Sequence, residues 1–175
     1  MTTTEPTGVV KDRRKKVLIC FILFLLLTAA DLITKHIAFD KLSGNPPFVL
    51  INGVLEFRYT GNTGAAFGML KGARILFSVI AAAAVCVIFY IISRTPSEKK
   101  YDLFRALLVL IAAGAAGNLI DRLFLGYVRD FIYFSLINFP IFNVADIYVT
   151  CATFLMVIAV LFYYRDEHDF DFLKK

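Results

Sequence analysis

Polar and charged side chains interrupt the long apolar stretches of this 175-residue sequence. A charged group near the centre of a bilayer costs about 2.5–3.5 kcal/mol on insertion scales, so such groups are usually kept for a structural or chemical role. The side chains concerned carry carboxylate, amide, ammonium and guanidinium groups. They are Asp31, Lys35, Asn62, Asn118, Asp121, Arg122, Asp130, Asn143 and Asp146.

The residue types limit the chemistry that this set can perform. His36 and His168 are the two histidines and lie far apart, so we expect no Ser-His-Asp set, no Cys-His pair and no metal site. Paired carboxylates remain. Two carboxylates held close together share one proton, because both cannot easily ionise. One then acts as a base on a water molecule and the other as an acid toward a carbonyl oxygen, which hydrolyses an amide without a metal or another cofactor.

Each of these features also has an ordinary structural interpretation. Asp31 and Lys35 are four residues apart on one helix face, and we favour a buried ion pair over direct chemistry for them. Asn143 and Asp146 stand at the start of an apolar helix, where both residue types are common N-caps. The small residues that follow Asn62, including Gly64, are typical of a tight loop that lets the backbone approach a neighbour closely.

The composition indicates that lipid surrounds most of the chain. Hydrophobic residues make up 59% of it, charged residues 19%, and the mean hydropathy is +0.71, whereas a soluble domain is typically about 45–50% apolar. A helix crosses a bilayer with about 20 mainly apolar residues. Four segments meet this requirement and predict an all-α membrane protein with a four-transmembrane-helix bundle. They are residues 17–39, 73–93, 103–120 and 144–164.

Basic residues predict the orientation of the four helices. They precede the first span, flank the link between the second and third, and follow the fourth, so the positive-inside rule places both termini in the cytoplasm. We expect a basic cytoplasmic tail over 1–16, disordered over 1–10, a single membrane domain over 17–164 and a cytoplasmic tail over 165–175. A cleaved signal peptide is the disfavoured alternative, because the polar motif at Asp31 continues the same helical run.

Two segments outside the membrane predict a small extracytoplasmic β element. Residues Phe48–Ile51 and Val54–Thr60 have the composition of strands, and the Asn52-Gly53 pair between them is a strong signal for a hairpin. The aromatic-rich segment 122–143 is expected to form a strand or a re-entrant piece.

This topology gathers the unusual polar residues in one layer. The first and third spans run outward and the fourth begins outside, so all of the polar residues fall at the outer surface. Scattered helix caps would not segregate in this way. A proton relay or transporter would distribute its acids through the depth of the bilayer, and a scaffold subunit would use them only to tie helices together. Both alternatives remain open from the residues alone.

Five short motifs in this order resemble the lipoprotein signal peptidase (signal peptidase II) family of bacteria, from about Val17 to Tyr164. The motifs are Asp31-Leu32-Ile33-Thr34-Lys35, Asn62-Thr63-Gly64-Ala65-Ala66-Phe67, Gly114-Ala115-Ala116-Gly117-Asn118 with Asp121-Arg122, Val128-Arg129-Asp130-Phe131, and Phe142-Asn143-Val144-Ala145-Asp146.

The resemblance implies an aspartic endopeptidase of the bacterial cytoplasmic (inner) membrane whose active site lies near the outer face. Its catalytic pair would be Asp130 and Asp146, with Asp121 as an alternative that we rank as supporting. The substrate would be a prolipoprotein that carries diacylglyceryl on a cysteine, cut just before that cysteine. We expect a monomer among membrane lipids, with no cofactor, metal or nucleic acid. The residues expected to line or support the site are Asp31, Lys35, Asn62, Gly64, Asn118, Asp121, Arg122 and Asn143.

Two positions depart from the family pattern. Ala113 replaces a frequent glycine but remains small. Arg129 stands where an apolar residue is usual, and we expect it either to lower the proton affinity of Asp130 or to point to lipid headgroups. We also predict a rim of aromatic side chains on the membrane that holds the substrate backbone extended. Its members are Phe48, Phe57, Tyr59, Phe131 and Tyr133.

Overall fold

The computed structural model describes residues 7–64 and 74–174, with side chains from residue 11 onward. Four helices and three strands make up this part of the chain, which confirms the predicted fold class. The helices are α1 (Thr7–Leu42), α2 (Arg74–Arg94), α3 (Asp102–Phe124) and α4 (Val144–Phe162). The strands are β1 (Phe48–Ile51), β2 (Leu55–Asn62) and β3 (Val128–Phe134).

All four helices are long and apolar enough to cross a membrane. α1 begins at Thr7, within the segment predicted to be a disordered tail. The basic residues that follow Thr7 are good helix formers and no proline interrupts them, so the helix extends beyond the membrane span. α3 continues to Phe124, four residues beyond its predicted end, which keeps Asp121 and Arg122 on the helix.

α3 is the central helix of the bundle and contacts α1, α2 and α4. Its small residues let the neighbouring backbones approach closely. A Cβ atom added to Gly114 would lie 2.4 Å from the carbonyl oxygen of Ala145 on α4, and one added to Gly117 would lie 2.2 Å from Oδ2 of Asp31 on α1. Glycine is therefore needed at both positions. Many apolar side chains on the outer faces of α1, α2 and α4 are exposed, as expected for helices that contact lipid.

The three strands form an antiparallel sheet in the order β1-β2-β3. The β1–β2 turn uses Gly53 at φ 69°, in the left-handed region, which confirms the predicted hairpin. Segment 122–143 contains β3, so the strand rather than the re-entrant piece is confirmed for it. Asp130 on β3 lies opposite Thr60 of β2. The other edge of β3 is bridged at Ile132 by Phe142, just before α4.

The chain after α4 packs against the start of α3. The aromatic rings of Tyr101 and Tyr164 stack with centroids 6.0 Å apart, and Phe170 and Phe172 join the same cluster. The carboxylate of Asp169 is 3% exposed and pairs with Lys100. We name residues 164–173 the C-terminal clasp.

Candidate active site

Six of the ten predicted site residues line one cavity at the end of the bundle that carries the sheet, and Asn143 bonds to two of them, Asp130 and Asp146. Its volume is about 260 Å³. α3, α4, β2 and β3 each contribute side chains, which explains why residues so far apart in the sequence meet. Its walls are formed by Asn62, Gly64, Asn118, Arg122, Val128, Asp130, Phe139, Pro140, Ile141, Phe142, Asp146 and Thr150.

Asp146 is held at the first turn of α4. Its Oδ2 atom accepts a hydrogen bond from the backbone N–H of Asn143 at 3.1 Å, and Asn143 Oδ1 accepts from the backbone N–H of Asp146 at 3.0 Å. This reciprocal pair is a capping box, in which Asn143 is the N-cap and Asp146 is the third residue of the helix, so both residues have the predicted capping role. The cap uses only one oxygen of Asp146. The other, Oδ1, accepts from Asn118 Nδ2 at 2.8 Å and faces the cavity.

Asp130 is 2% exposed and is held by two amides. Asn62 Nδ2 donates to its Oδ2 atom at 2.8 Å, and Asn143 Nδ2 donates to its Oδ1 atom at 2.6 Å. Asn143 therefore contacts both carboxylates, one through its side chain and the other through its backbone. Asp130 and Asp146 are joined through this single residue.

The three asparagine amides are each oriented by a donor on their oxygen. Asn62 Oδ1 accepts from the backbone N–H of Gly64 at 3.0 Å, and Asn118 Oδ1 accepts from Lys35 Nζ at 2.8 Å. Asn143 Oδ1 accepts from the first turn of α4, as described above. Because each oxygen is engaged, each NH₂ group must face a carboxylate. All four oxygens of Asp130 and Asp146 thus receive one hydrogen bond from the protein.

The surroundings of Asp130 favour its protonated form. Burial and, secondarily, the negative charge of Asp146 raise the pKa of Asp130 from 3.8 to about 7. The hydrogen bonds from Asn62 and Asn143 and the charge of Lys35 act in the opposite direction and are outweighed. The pair is therefore suited to hold one proton near neutral pH, with Asp130 as the carboxyl that keeps it.

A buried ion network supports the cavity from the side of α1. Lys35 and Asp31 are both fully buried and their Nζ and Oδ2 atoms lie 2.7 Å apart, which confirms the predicted ion pair. Asp31 Oδ1 accepts from the backbone N–H of Ala145 at 2.9 Å and so also holds the start of α4. Oδ2 of Asp121 lies 3.9 Å from Lys35 Nζ. In the described part of the chain neither Asp31, Lys35 nor Asp121 lines the cavity.

Arg129 neither acts on Asp130 nor points to lipid headgroups, the two roles expected from the sequence, but binds Asp121. Its Nη2 atom lies 2.6 Å from Oδ1 of Asp121, its Nε atom lies 3.1 Å from Oδ2, and its backbone N–H donates to Oδ2 at 2.9 Å. Burial opposes the charge of Arg129, but the bonds to Asp121 outweigh it and raise the pKa of the guanidinium. A bidentate partner in the protein thus replaces the expected lipid headgroup.

Arg122 is the cationic group in the cavity wall. Its Nη1 atom donates to the backbone oxygen of Asn118 at 3.5 Å, and its guanidinium carbon lies 5.4 Å from the ring centre of Phe77 on α2. This stacking holds the charge near the cavity. Among residues 11–64 and 74–174, no group of three or more histidine, cysteine or acidic side chains could hold a metal ion.

The predicted aromatic rim divides between different places. Phe48, Phe57 and Phe131 form a ladder along an apolar groove of about 570 Å³ beside the end of α1, and Tyr133 bonds to Asn138. None of the five predicted aromatics lines the cavity within the described ranges. Phe131 points to the opposite side of β3 from Asp130, because alternate residues of a strand point to opposite faces.

The apolar wall of the cavity was not predicted from the sequence. Phe142 was noted only as the start of a motif, and Thr150 lies one helical turn beyond Asp146 on α4. That spacing of four residues was the available signal for Thr150. Residues 65–67 of the second motif lie outside the described residues.

Comparison with known proteins agrees with this arrangement. A family model described as Signal peptidase (SPase) II matches residues 23–162. The lipoprotein signal peptidase of Latilactobacillus sakei subsp. sakei is 40% identical over 152 residues, covering 87% of this chain and 99% of that protein. The lipoprotein signal peptidase of Francisella tularensis subsp. novicida is 39% identical over 149 residues, covering 81% and 91%.

Two solved structures, both described as bacterial membrane enzymes, have the same fold. One has a TM-score of 0.73 at 29% identity and covers 85% of this chain and 92% of its own. The other has a TM-score of 0.70 at 31% identity and covers 83% and 94%. The family match spans most of the residues that form the bundle, the sheet and the cavity. The chain belongs to the signal peptidase II family of bacterial membrane peptidases.

Proposed function

We propose that this protein is an aspartic endopeptidase that removes the signal peptide from prolipoproteins carrying diacylglyceryl on a cysteine, by cutting just before that cysteine. One observation carries the proposal. Asp130 and Asp146 are joined through Asn143 at a single cavity, with every carboxylate oxygen held by a hydrogen bond. Relatives that are 38–40% identical are named lipoprotein signal peptidases, which supports the substrate class.

The two carboxyl groups take different roles. Asp146, in its ionised form at the N-terminal end of α4, removes a proton from a water molecule, and the water oxygen bonds to the carbonyl carbon of the residue before the modified cysteine. Asp130 gives its proton to the carbonyl oxygen, forming a neutral tetrahedral diol. The raised pKa of Asp130 supports its assignment as the acid.

Collapse of the diol completes the cycle. The carbon–nitrogen bond breaks, and the leaving cysteine nitrogen takes the proton that Asp146 gained from water. The diol returns a hydroxyl proton to Asp130 as the new carboxyl group forms. Water and peptide are consumed, an acid and an amine are released, and the pair regains its single proton. Arg122 in the cavity wall favours negative charge that develops on the reacting oxygens.

We place the cavity near the outer face of the cytoplasmic membrane, with both termini in the cytoplasm. The basic residues at the opposite end of the bundle support this orientation. The exposed apolar faces of α1, α2 and α4 contact lipid, so a lipid-modified substrate reaches the cavity from the side of the bilayer. We propose that a single chain carries the whole site, because each residue of the proposed pair and its donors lies on this chain.

The non-enzymatic alternative, a transporter or proton relay, requires polar groups through the bilayer. In α3, the stretch 106–113 between the buried Arg105 and the cavity is entirely apolar, Ala-Leu-Leu-Val-Leu-Ile-Ala-Ala. A proton path along this central helix would have no carrier there. This stretch supports a site confined to one end of the bundle.

The test compares two forms of one prolipoprotein in detergent with the purified enzyme. We expect the diacylglyceryl-modified form to be cut to a product whose first residue is the modified cysteine, as read by mass spectrometry. The unmodified form should remain intact, because its cleavage site is not brought to the membrane surface. Equal cleavage of both forms, or none of the modified form by folded protein, would contradict the proposal.

A further inference from the structure

Arg129 does not line the cavity but makes an extensive contact with Asp121 beside it. Its guanidinium and its backbone N–H make four bonds to the two oxygens of Asp121. Arg129 is 13% exposed and Asp121 is 1% exposed, so the pair is largely removed from water. A bidentate bond of this kind fixes direction as well as distance.

Asp121 requires this partner because the other nearby cation is already engaged. Lys35 Nζ lies 3.9 Å from Asp121, but 2.7 Å from Asp31 and 2.8 Å from Asn118. Without Arg129, the buried charge of Asp121 would attract Lys35 and draw it away from Asn118. Arg129 therefore leaves Lys35 free to orient the amide that contacts Asp146.

The contact between Arg129 and Asp121 also holds β3, the strand that carries the proposed acid Asp130. Arg129 precedes Asp130 in β3, and alternate residues of a strand point to opposite faces. One face of β3 is thus bound to the last turn of α3, while the next residue faces Asp146. Because the backbone N–H of Arg129 is bonded to Asp121, the peptide between Val128 and Arg129 is held as well.

We propose that Arg129 is a positioning residue: its bonds to Asp121 fix β3 against α3 and so hold Asp130 at the distance from Asp146 that the shared-proton reaction requires. This role rests on the proposed function of the carboxylate pair. It assigns to Arg129 an effect on the rate of the chemical step rather than on substrate affinity. A shift of about 1 Å in a reacting group lowers rates about a hundredfold.

The test uses the full chain in detergent. It measures kcat and KM with a diacylglyceryl-modified prolipoprotein as substrate, and separately the melting temperature of each variant. Arg129→Met should lower kcat about 10- to 100-fold with KM within about threefold of the parent. Arg129→Lys keeps the charge but not the bidentate bond, so its kcat should lie between that of the parent and that of Arg129→Met. The variant Arg129→Met/Asp121→Asn should have no lower kcat than Arg129→Met, because both changes break the same contact.

A matched control removes an arginine from the same sheet. Arg58 on β2 is about half exposed and bonds within its own strand to Glu56, so Arg58→Met should keep the parental kcat. Parental kcat in folded Arg129→Met, or multiplicative losses in the double variant, would overturn the positioning role while leaving the proposed function standing. If Arg129→Met does not fold, Arg129→Lys decides: a parental kcat, or a raised KM alone, overturns the role. An inactive folded parent would instead overturn the proposed function, and the role with it.

Discussion

The Nζ atom of Lys35 lies 2.8 Å from the Oδ1 atom of Asn118, and Lys35 is fully buried within the bundle. An ammonium group can only donate, so this contact fixes which end of the Asn118 amide faces α1. The Nδ2 atom is then directed to Asp146. A fully buried cation on α1 therefore determines a hydrogen bond to a carboxylate on α4, without touching that carboxylate.

Replacing Lys35 tests this indirect effect of Lys35 on Asp146. Lys35→Met should lower the free energy of unfolding by about 3–5 kcal/mol, because it leaves the buried charge of Asp31 without its partner. It should also lower kcat, because the Asn118 amide loses one of its two donors. Thermal melting and steady-state kinetics measure the two effects.

The variant Asp31→Asn/Lys35→Met separates stability from rate. It removes both charges, so most of the lost stability should return. The kcat should remain about tenfold below the parent, because Asn118 still lacks the ammonium donor. A double variant with parental kcat would show that Lys35 serves only the ion pair.

The activity should decline as pH rises through about 7. The pKa of Asp130 is raised to about 7 by burial and by the charge of Asp146, and the proposed acid loses its proton above that pH. A profile of kcat/KM between pH 5 and pH 9 measures this decline, because kcat/KM reports the ionisation of the free enzyme. We expect its midpoint within about one unit of pH 7. A rate that stays constant to pH 9 would remove Asp130 from the role of acid.

The same group should make folding stability depend on pH. Because the pKa of Asp130 is higher in the folded state than its ordinary value of 3.8, the folded state binds this proton more tightly. The resulting stabilisation is complete below about pH 4 and is lost as pH rises through about 7. The melting temperature of the parent should fall over this window, and that of Asp130→Asn should fall less. Equal slopes for both proteins would contradict the raised pKa.

Gly117 should not tolerate a methyl group. A Cβ atom there would lie 2.2 Å from Oδ2 of Asp31, the oxygen that pairs with Lys35. Gly117→Ala should therefore lower the melting temperature and the activity together, since α1 and α3 must separate. Gly61→Ala is the matched control, because its added methyl meets only the ring edge of Tyr127 at 3.1 Å. Equal melting temperatures for the two variants would rule out this close packing.

Most of the fold followed from local patterns in the sequence. Apolar length predicted the four helices, and the Asn52-Gly53 pair predicted the β1–β2 hairpin. The ion pair of Asp31 and Lys35 followed from their spacing of four residues. These features depend on residues that are close in sequence, where periodicity and turn preferences are informative.

The arrangement of the cavity depends on contacts between distant residues. Nothing local in the sequence indicates that Asn143 contacts Asp130 or that Arg129 pairs with Asp121. The aromatic rim stays a prediction, and three of its members, Phe48, Phe57 and Phe131, line the apolar groove beside α1. Residues 7–10, predicted to be disordered, belong to α1, because a helix can continue past the membrane into basic residues.

The C-terminal clasp lies beyond the residues that match the family model, which end at 162. Asp169→Asn should lower the melting temperature by a few degrees, because the buried carboxylate loses its ion pair with Lys100. The kcat should stay unchanged, since the clasp is at the opposite end of the bundle from the cavity. Asp171→Asn, on an exposed position of the same segment, should leave both quantities unchanged. A loss of kcat in Asp169→Asn would show that the clasp acts on the distant site.

The most direct measurement compares cleavage of a diacylglyceryl-modified prolipoprotein by the parent and by Asp130→Asn, Asp146→Asn and Asp121→Asn. An amide keeps the size of the side chain but cannot exchange the proton, so Asp130→Asn and Asp146→Asn should each lose activity about a thousandfold or more while melting as folded proteins. Asp121→Asn should retain measurable cleavage, because Asp121 faces Arg129 rather than the cavity. Full loss in folded Asp121→Asn together with activity in Asp130→Asn or Asp146→Asn would contradict the assigned pair.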